Sequence, residues 1–394
     1  MDSRYNLYKE ALKYERLPLA FVDLDLFDQN IQAILKRSGS KKIRIASKSI
    51  RCVELMQRIL DFSPQFQGIM CYSAEEAVWL SEKGFDDLLV AYPTVQTGSI
   101  KAVAEAVKKG KNIYLMTDLA EHLRIIQKIA AEMDAVLPVA LDMDMSSRWS
   151  LLHFGVHRSS VWNKDTLYKY LEVLKTCPNL KLCAAMGYEA QIAGVGNKAA
   201  GKSLMNSIIS TLQQKSKKEL ARRRKALVDI LKKECPDLFI VNGGGTGSLE
   251  STAEEDWVTE VTAGSGFYAP ALFDNYSHFK HLPAAGFALE VVRHPQPDIY
   301  TCLGGGYVAS GAVGKEKAPL PYLPEGMKLT PNEMAGEVQT PIVYKGNLTI
   351  GDPVFFRHSK AGELCEHFPE LQLIKDGKTV GKTNTYRGDG KCFL

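Results

Sequence analysis

Eight short apolar segments recur along the first two thirds of the chain, and they constrain the fold more than any other feature. Amphipathic helical patterns lie between most of them, for example over residues 119–133 and 166–176. Apolar strands that alternate with helices are typical of parallel sheets covered by helices. The pattern therefore predicts an α/β fold, a (β/α)8 barrel of the TIM type. The predicted strands cover residues 43–47, 67–72, 87–93, 112–117, 137–142, 180–186, 238–242 and 257–262, and no helix is obvious between the last two.

The character of the sequence changes after Tyr276, where helical periodicity ends. Short runs typical of strands follow, separated by turn-forming and proline-rich stretches. This pattern predicts a compact, all-β C-terminal domain. We therefore expect two domains, a barrel over residues 21–280 and a β-domain over residues 281–394. The predicted strands of the β-domain cover residues 287–293, 299–303, 341–344 and 353–357.

The composition argues against several classes of protein. The chain has 394 residues and a formal net charge of +4, which is too small to indicate a nucleic-acid partner. A basic run over residues 215–225, which includes Arg224, is interpreted as a solvated helix face, because no aromatic residues are interleaved with it. No apolar run has membrane-spanning length, the N-terminus has no apolar signal core, and the eight cysteines form no CxxC pair. We expect a cytoplasmic protein with reduced thiols and without membrane partners.

Lys48 directly follows the first predicted barrel strand. Upstream of that strand, residues 19–25 have the character of another strand and residues 26–35 that of an amphipathic helix. Basic residues often flank strands at the protein surface, so a lysine in this place has an ordinary explanation. The order of strand, helix and strand favours a second interpretation, because α/β folds place reactive groups at the carboxyl ends of their strands.

Two glycine-rich segments follow the last two predicted barrel strands, over residues 243–248 and 264–268. Glycine allows the backbone to approach an anion closely and to adopt positive φ, so that successive amides can point at phosphate oxygens. The loops after strands seven and eight are the common phosphate site of such barrels. A dinucleotide-binding fingerprint does not fit, because no βαβ unit with a ribose-binding acid follows. The alternative is that both segments are simple turns.

These motifs, in this order, resemble the opening and the loops of fold-type III pyridoxal 5′-phosphate enzymes, the alanine racemase-like barrels, and within them D-threonine aldolase and D-serine dehydratase. The resemblance implies that Lys48 carries the cofactor as a Schiff base. It also implies that residues 1–20 join the β-domain, that the substrate is a small amino acid, and that the protein is a homodimer. The residues implied to hold the phosphate and its surroundings are Gly244, Gly245, Thr246, Gly264, Ser265, Gly266 and Tyr268.

The ends of predicted strands five and six supply further candidates by the same resemblance. The family has an arginine after strand five, and here an insertion leaves two candidates, Arg148 and Arg158, with Arg148 as the first choice. A surface ion pair is the alternative for either arginine. Strand six ends in Gly187-Tyr188-Glu189-Ala190-Gln191, where Tyr188 is expected to line the cofactor pocket and either Glu189 or Gln191 to bond the cofactor or supporting side chains. Packing at the barrel rim is the alternative for each of them.

The β-domain contains a third motif that resembles the family, around His358 and Lys360. In the two enzymes named above, a histidine and a second residue two positions later bind a divalent metal. Lys360 occupies the second position here, and an ammonium group is not a metal ligand. A zinc or manganese ion held by His358 with Glu363 or Cys365 is therefore doubtful. The alternative expectation is metal-free chemistry, in which Lys360 supplies positive charge and His358, with an unperturbed pKa near ~6.5, is the general base.

The resemblance implies a lyase that acts on a D-3-hydroxy amino acid, either by aldol cleavage or by dehydration. Two other classes of function stay open. An amino-acid racemase would need a second base on the opposite face of the cofactor, for which Tyr307, Tyr322 and Tyr344 are candidates without a convincing motif. A non-catalytic protein that binds the cofactor is the other class, and the long β-domain argues against it.

Overall fold

The computed structural model describes residues 3–149 and 152–394. Its strands and helices alternate over the first two thirds of the chain, and strands dominate afterwards. The strands are β1 Leu19–Asp23, β2 Lys42–Ala46, β3 Phe66–Cys71, β4 Leu88–Val90, β5 Ile113–Thr117, β6 Leu137–Asp142, β7 Ser147–Trp149, β8 Leu152–Phe154, β9 Leu180–Gly187, β10 Ile240–Gly243, β11 Glu260–Ala263, β12 Ala285–Gln296, β13 Ile299–Leu303, β14 Leu320–Leu323, β15 Lys328–Leu329, β16 Gln339–Val343, β17 Pro353–Arg357, β18 Glu370–Lys375 and β19 Lys378–Asn384.

The α-helices differ widely in length, from single turns to one long helix in the second half of the barrel. They are α1 Ser3–Ala11, α2 Leu24–Arg37, α3 Val53–Phe62, α4 Ala74–Glu82, α5 Thr97–Lys108, α6 Ala120–Glu132, α7 Lys164–Leu174, α8 Ala190–Ala193, α9 Ser203–Glu234, α10 Leu249–Ala253, α11 Ser265–Tyr268 and α12 Leu364–His367. In the described part of the chain, no helix is both long enough and apolar enough to cross a membrane.

Eight parallel strands close into a barrel in the order β10-β11-β2-β3-β4-β5-β6-β9. The closing pair joins the last barrel strand to the first, with Val261 opposite Ile43. All eight strands coincide with predicted segments to within a few residues, so the predicted (β/α)8 barrel is confirmed. Helices α3 to α7, α9 and α10 lie between consecutive barrel strands along the chain. The apolar interior includes Leu89, Met116 and Ile240.

Local signals explain where two of these helices begin. The Ser73 hydroxyl accepts a hydrogen bond from the backbone N–H of Glu76, at 3.1 Å, and caps α4. Asn163 and Thr166 bond each other's backbone in a capping box at the start of α7. No helix was obvious in the sequence between strands seven and eight, and the structure has the five residues of α10 there. A helix this short has too few positions to show an amphipathic period.

A two-stranded hairpin, β7 with β8, follows barrel strand β6 and was not predicted. Arg148 lies opposite His153 in this hairpin. The hairpin contains the first candidate arginine and ends before the second, so strand β6, the hairpin and Arg158 follow one another in the chain. Its three-residue strands are too short to give a period-two signal.

The remaining strands form a nine-stranded sheet. Strand β1 lies inside this sheet, antiparallel to β12 and parallel to β18. Its core is aromatic, and Phe21 and Phe355 meet edge to face with ring centroids 5.8 Å apart. The predicted strands of the β-domain correspond to β12, β13, β16 and β17, whereas β14, β15, β18 and β19 were not predicted.

The chain divides into two compact units. The barrel unit consists of Ile34–Lys48, Gln57–Gly264 and Phe393–Leu394, and the sheet unit of residues up to Ala33, Ser49–Met56 and Ser265–Cys392. The expected domain limits at residues 20 and 280 stay a prediction. The two units are described separately below.

Candidate functional site

Lys48 lies at the carboxyl end of barrel strand β2, in the single 3-10 turn Ser47–Ser49. The strand buries Ile43 and Ile45 in the barrel wall, whereas the Lys48 side chain is exposed. The Ser47 hydroxyl donates to the carbonyl of Met70 at 2.9 Å and fixes the start of the turn against strand β3. The sequence therefore places a solvent-accessible amine at the end of the barrel where reactive groups are found in this fold.

Tyr92 lies close enough to both Lys48 and Arg158 to interact with their charges. Burial opposes ionisation of the Tyr92 phenol, but the positive charges of Lys48 and Arg158 outweigh it and lower the pKa of Tyr92. Tyr92 follows the end of strand β4. Tyr92 was not predicted as a site residue from the sequence. Its position at the end of a predicted barrel strand is the feature by which it could have been identified.

Arg158 is anchored at the same end of the barrel. Its Nε donates to Asp142 Oδ2 at 2.5 Å, and its Nη2 donates to the carbonyl of Ala91 at 2.7 Å. Asp142 is the last residue of strand β6, and burial raises its pKa to about 7 although the Arg158 guanidinium opposes this shift. The guanidinium also lies 5.9 Å from the ring centre of Tyr188. Arg158 thus joins the ends of three barrel strands.

Arg148 lies elsewhere. Its side chain is 49% exposed, its Nη2 donates to Asp144 Oδ2 at 3.0 Å, and its guanidinium covers the ring of Trp162 at 5.1 Å. The structure therefore brings Arg158, and not the first-choice Arg148, to the tyrosines at the barrel end. Arg148 lies within the hairpin of β7 and β8, whereas Arg158 follows the hairpin in the chain.

The glycine loop, residues 243–248, follows strand β10. Gly244 has φ +79°, a conformation that favours glycine, and its N–H donates to Glu189 Oε2 at 3.3 Å. A Cβ atom at Gly245 would lie 2.9 Å from the Cβ of Ala193 and 3.1 Å from Cε2 of Tyr188, so only glycine fits there without displacing a neighbour. Tyr188 thus packs directly on the loop.

Thr246 connects this loop to the second glycine segment. Its Oγ1 accepts a hydrogen bond from the N–H of Gly264 at 3.5 Å, and its carbonyl accepts one from Arg37 Nη2 at 2.7 Å. The barrel unit therefore brings together Lys48, Arg158, Tyr188 and both glycine segments up to Gly264 at strand carboxyl ends.

This barrel matches known proteins in sequence and in shape. A sequence model described as "Alanine racemase, N-terminal domain" matches residues 22–270. The chain belongs to the alanine racemase N-terminal domain family. No curated protein sequence matches the chain significantly. The family assignment confirms the resemblance to fold-type III barrels drawn from the sequence.

Solved structures extend the likeness over nearly the whole chain. D-Threonine aldolase from Filomicrobium marinum has a TM-score of 0.78 and 15% identity, with 96% of each chain covered. D-threo-3-Hydroxyaspartate dehydratase from Delftia sp. HT23 has a TM-score of 0.74 and 17% identity, with 95% of this chain and 98% of that chain covered. An alanine racemase from Clostridium difficile 630 has a TM-score of 0.66 and 14% identity, with 94% and 99% covered. At these identities the comparison establishes the shared fold.

The residues at this alanine racemase-family barrel fit pyridoxal 5′-phosphate. Lys48 is an exposed lysine of the kind that attaches this cofactor covalently, and Gly244, with its positive φ, and Gly245 leave the loop beside it without side chains of its own. Arg158 and Tyr188 provide a cation and an aromatic face beside it.

The sheet unit contains the other predicted residues. Ser265 and Gly266 begin the single-turn helix α11, and the Ser265 hydroxyl lies 3.4 Å from that of Ser49. Tyr268 is fully buried and its hydroxyl donates to the carbonyl of Ile50 at 2.9 Å. In this structure the phenol of Tyr268 therefore supports the segment that follows Lys48 in the chain.

His358 is 3% exposed, and neither ring nitrogen forms a well-aligned hydrogen bond within the described part of the chain; a weak one with the backbone of Ala285 slightly opposes the lowering of its pKa. The ring stands edge-on to Tyr268, with ring centroids 6.2 Å apart. Burial, with a smaller contribution from the charge of Arg357, lowers the pKa of His358 to about 3. The predicted unperturbed pKa is therefore wrong, because the sequence does not show the burial. The ring is neutral at neutral pH.

The donor set around His358 does not fit a divalent metal. Lys360 Nζ donates to the hydroxyl of Ser310 at 2.8 Å, and the Glu363 carboxylate accepts from the N–H of Ser310 at 3.1 Å. The Cys365 thiol is buried and donates to the carbonyl of Ile50, and burial raises its pKa. Within residues 3–149 and 152–394, no group of three His, Cys, Asp or Glu side chains is arranged to hold a metal ion.

Proposed function

We propose that this protein is a pyridoxal 5′-phosphate-dependent lyase that acts on a D-3-hydroxy amino acid. The observation that carries the proposal is the position of Lys48 at the carboxyl end of strand β2, where its charge acts on Tyr92 at the same end of the barrel that holds Arg158 and the glycine loop. Membership of the alanine racemase family supports the cofactor, since enzymes of that family depend on it. The likeness to D-threonine aldolase and D-threo-3-hydroxyaspartate dehydratase supports the reaction class.

Pyridoxal 5′-phosphate, when bound, withdraws electrons from the substrate's α-carbon, and the protein selects which bond breaks by orienting the substrate. In our proposal the Lys48 amine attaches the cofactor covalently and, once released from it, accepts or returns a proton. Gly244, Gly245, Thr246 and Gly264 would hold the phosphate in the barrel unit. Arg158 and Tyr188 would flank the cofactor ring, and Ser265, Gly266 and Tyr268 would complete the second loop.

His358 and Lys360 would act on the substrate's β-hydroxyl. Because the ring of His358 is neutral, its unprotonated nitrogen can accept a hydrogen bond from that hydroxyl. A pKa of about 3 makes the ring a weak base, so its role would be to orient the hydroxyl as much as to deprotonate it. The Lys360 ammonium would supply positive charge near the developing alkoxide in place of a metal ion.

The test begins with the purified protein loaded with pyridoxal 5′-phosphate. Borohydride reduction followed by peptide mapping should place the reduced adduct on Lys48, and an adduct on another lysine would overturn the assignment. The loaded protein is then mixed separately with D-threonine, D-serine and D-threo-3-hydroxyaspartate. Formation of glycine and an aldehyde indicates aldol cleavage, whereas formation of ammonia and a keto acid indicates dehydration.

The same mixtures separate the proposal from its rivals. Interconversion of single enantiomers without any cleavage or ammonia release would indicate a racemase. Cofactor binding without any turnover would indicate a non-catalytic binding protein. Dialysis against a chelator should leave lyase activity unchanged, and a stoichiometric zinc ion needed for turnover would contradict the role proposed for Lys360. We also propose a homodimer, which light scattering of the loaded protein tests.

A further inference from the structure

The long helix α9 places a buried cation behind the glycine loop. Arg224 is 1% exposed, although it lies in the run interpreted from the sequence as a solvated face. Its Nη2 donates to Glu189 Oε2 at 2.6 Å and to the carbonyl of Gly187 at 3.1 Å, and its Nη1 donates to Glu255. The interpretation of the basic run is therefore wrong for Arg224, because two carboxylates distant in sequence neutralise it inside the barrel unit.

Two glycines make room for this side chain at the ends of strands β9 and β10. A Cβ atom at Gly187 would lie 3.2 Å from Arg224 Nε, and one at Gly243 would lie 3.4 Å from Arg224 Cζ. The first of these contacts is tighter than ordinary van der Waals packing and the second is at its lower limit, while Met145 at Gly187 and Thr252 at Gly243 lie closer still, at 3.0 and 2.9 Å. The guanidinium consequently reaches Glu189 by passing close to the backbone of both strands.

Glu189 transmits this anchoring to the glycine loop. Besides Arg224, its carboxylate accepts hydrogen bonds from the N–H of Gly244 at 3.3 Å, from the Ser248 hydroxyl at 2.9 Å, and from the Thr252 hydroxyl. The Ser248 hydroxyl in turn accepts from the N–H of Gly245 at 3.1 Å. The buried Glu189 carboxylate therefore bonds Gly244, where the loop has positive φ, and Ser248, where the loop ends. Through Thr252 it also bonds helix α10, which follows the loop.

The charges of this cluster stabilise one another. Burial opposes the charge on Arg224, but Glu189 and Glu255 outweigh it and raise the pKa of its guanidinium. If either Arg224 or Glu189 lost its charge, its partner would remain as an unpaired charge buried away from water. A buried unpaired charge is strongly unfavourable. The loop is thus tied to a fixed point of the barrel rather than to solvent.

We propose that Glu189 and Arg224 are positioning residues that hold the glycine loop in the conformation that receives the cofactor's phosphate. This role rests on the proposed function, and it goes beyond it by assigning the loop's geometry to an ion pair buried inside the barrel unit. The role predicts a selective effect: loss of the pair weakens binding of the phosphate group and leaves the rest of the cofactor's binding unchanged.

The experiment compares two ligands, pyridoxal 5′-phosphate and pyridoxal, which differ by the phosphate alone. Each is titrated into apo-protein and followed by absorbance for the wild type and for Glu189→Gln, Arg224→Met and Thr252→Val. We expect Glu189→Gln and Arg224→Met to weaken pyridoxal 5′-phosphate binding roughly 10–100-fold, as loss of supporting hydrogen bonds does at metal sites, with less than about a 2-fold effect on pyridoxal. Thr252→Val removes one hydroxyl without removing charge, and it should give a smaller loss of the same kind.

Lys225→Met is the matched control, because the neighbouring Lys225 pairs with Asp229 at the exposed surface of the same helix. It should change neither affinity. Equal losses of both ligands in the three variants would overturn the inference, since they would indicate general damage to the barrel. If Arg224→Met does not fold, an unchanged affinity ratio in Glu189→Gln and Thr252→Val would overturn it equally. Wild-type protein that bound neither ligand would instead overturn the proposed cofactor, and this role with it.

Discussion

The guanidinium carbon of Arg158 lies 4.8 Å from the centre of the Tyr92 ring. A cation in this position over an aromatic face is attracted by the ring and is held in place by it. Because the same guanidinium is bonded to Asp142, its position is fixed from two sides. The end of the barrel therefore presents a rigid cation and a phenol beside Lys48.

We expect Arg158→Met to weaken pyridoxal 5′-phosphate binding roughly 10–100-fold, as loss of a supporting ligand partner does at metal sites. The reason is that Asp142 would be left as a buried carboxyl without its cation, and Tyr92 and Tyr188 would lose the group between them. Titration of the apo-protein with the cofactor measures the effect. Arg148→Met is the control, since Arg148 is half exposed, and it should bind the cofactor like the wild type. A comparable loss in Arg148→Met would show that the hairpin arginine is the one that matters.

Tyr92 provides a second test that needs no cofactor. Its phenol should ionise below the ordinary pKa of 10 in apo-protein, because Lys48 and Arg158 favour the phenolate. The difference in ultraviolet absorbance between the wild type and Tyr92→Phe, recorded against pH, isolates this titration. In Lys48→Met the pKa of Tyr92 should rise, since one positive charge is lost. Lys42→Met, at the exposed start of the same strand, should leave it where it was. An unmoved titration in Lys48→Met would mean that the two side chains do not interact.

The glycine loop gives a third prediction. Gly244→Ala should lower cofactor retention during dialysis, because alanine disfavours φ +79° and would shift the N–H that bonds Glu189. Gly84→Ala is matched to it, with φ +99° and open space around the added methyl group, so both variants lose about 1 kcal/mol of stability from the backbone. Only the variant in the loop should lose cofactor. Gly244→Asp and Gly264→Asp should weaken retention further through repulsion of the phosphate. Equal retention in all four variants would place the phosphate elsewhere.

The fourth prediction concerns His358 and acid stability. Its pKa of about 3 in the folded protein lies below the ordinary value of 6.5, so the unfolded chain binds a proton that the native state does not. The free energy of unfolding should therefore fall as the pH is lowered from 6.5 towards 3, by roughly 1.4 kcal/mol per pH unit at most from this residue. Denaturant unfolding at several pH values should show a shallower dependence in His358→Leu than in the wild type. The exposed His294 offers a control, and His294→Gln should retain the wild-type slope.

The barrel could be predicted because the sequence patterns of its strands and helices are local. Each of its strands is a short apolar run, and most of the helices between them have a clear period, so the two signals alternate along the chain. Strand β19, of sequence Lys-Thr-Val-Gly-Lys-Thr-Asn, was missed for the opposite reason. It lies at an edge of the sheet, where most of its side chains are exposed, and an edge strand does not need the apolar residues by which a strand is recognised.

The site was predictable in part for the same reason. Lys48 and the glycine loop follow strands directly, so their positions come from the strands. The burial of Arg224 could not be predicted, because its partners Glu189 and Glu255 are 35 and 31 residues away in the sequence. A run of basic residues gives no sign that one member turns inward. The pKa of His358 was missed in the same way, since burial is a property of the folded chain.

The narrow passage of Arg224 past Gly187 and Gly243 couples three positions of the chain that no sequence motif connects. A larger residue at either glycine would meet the arginine and a second, closer neighbour, Met145 for Gly187 and Thr252 for Gly243, so removal of the arginine alone would not make room for it. Residues in direct contact commonly show such non-additive effects. In the evolutionary history of this protein, we therefore expect Gly187, Gly243 and Arg224 to be exchanged together with these neighbours or not at all.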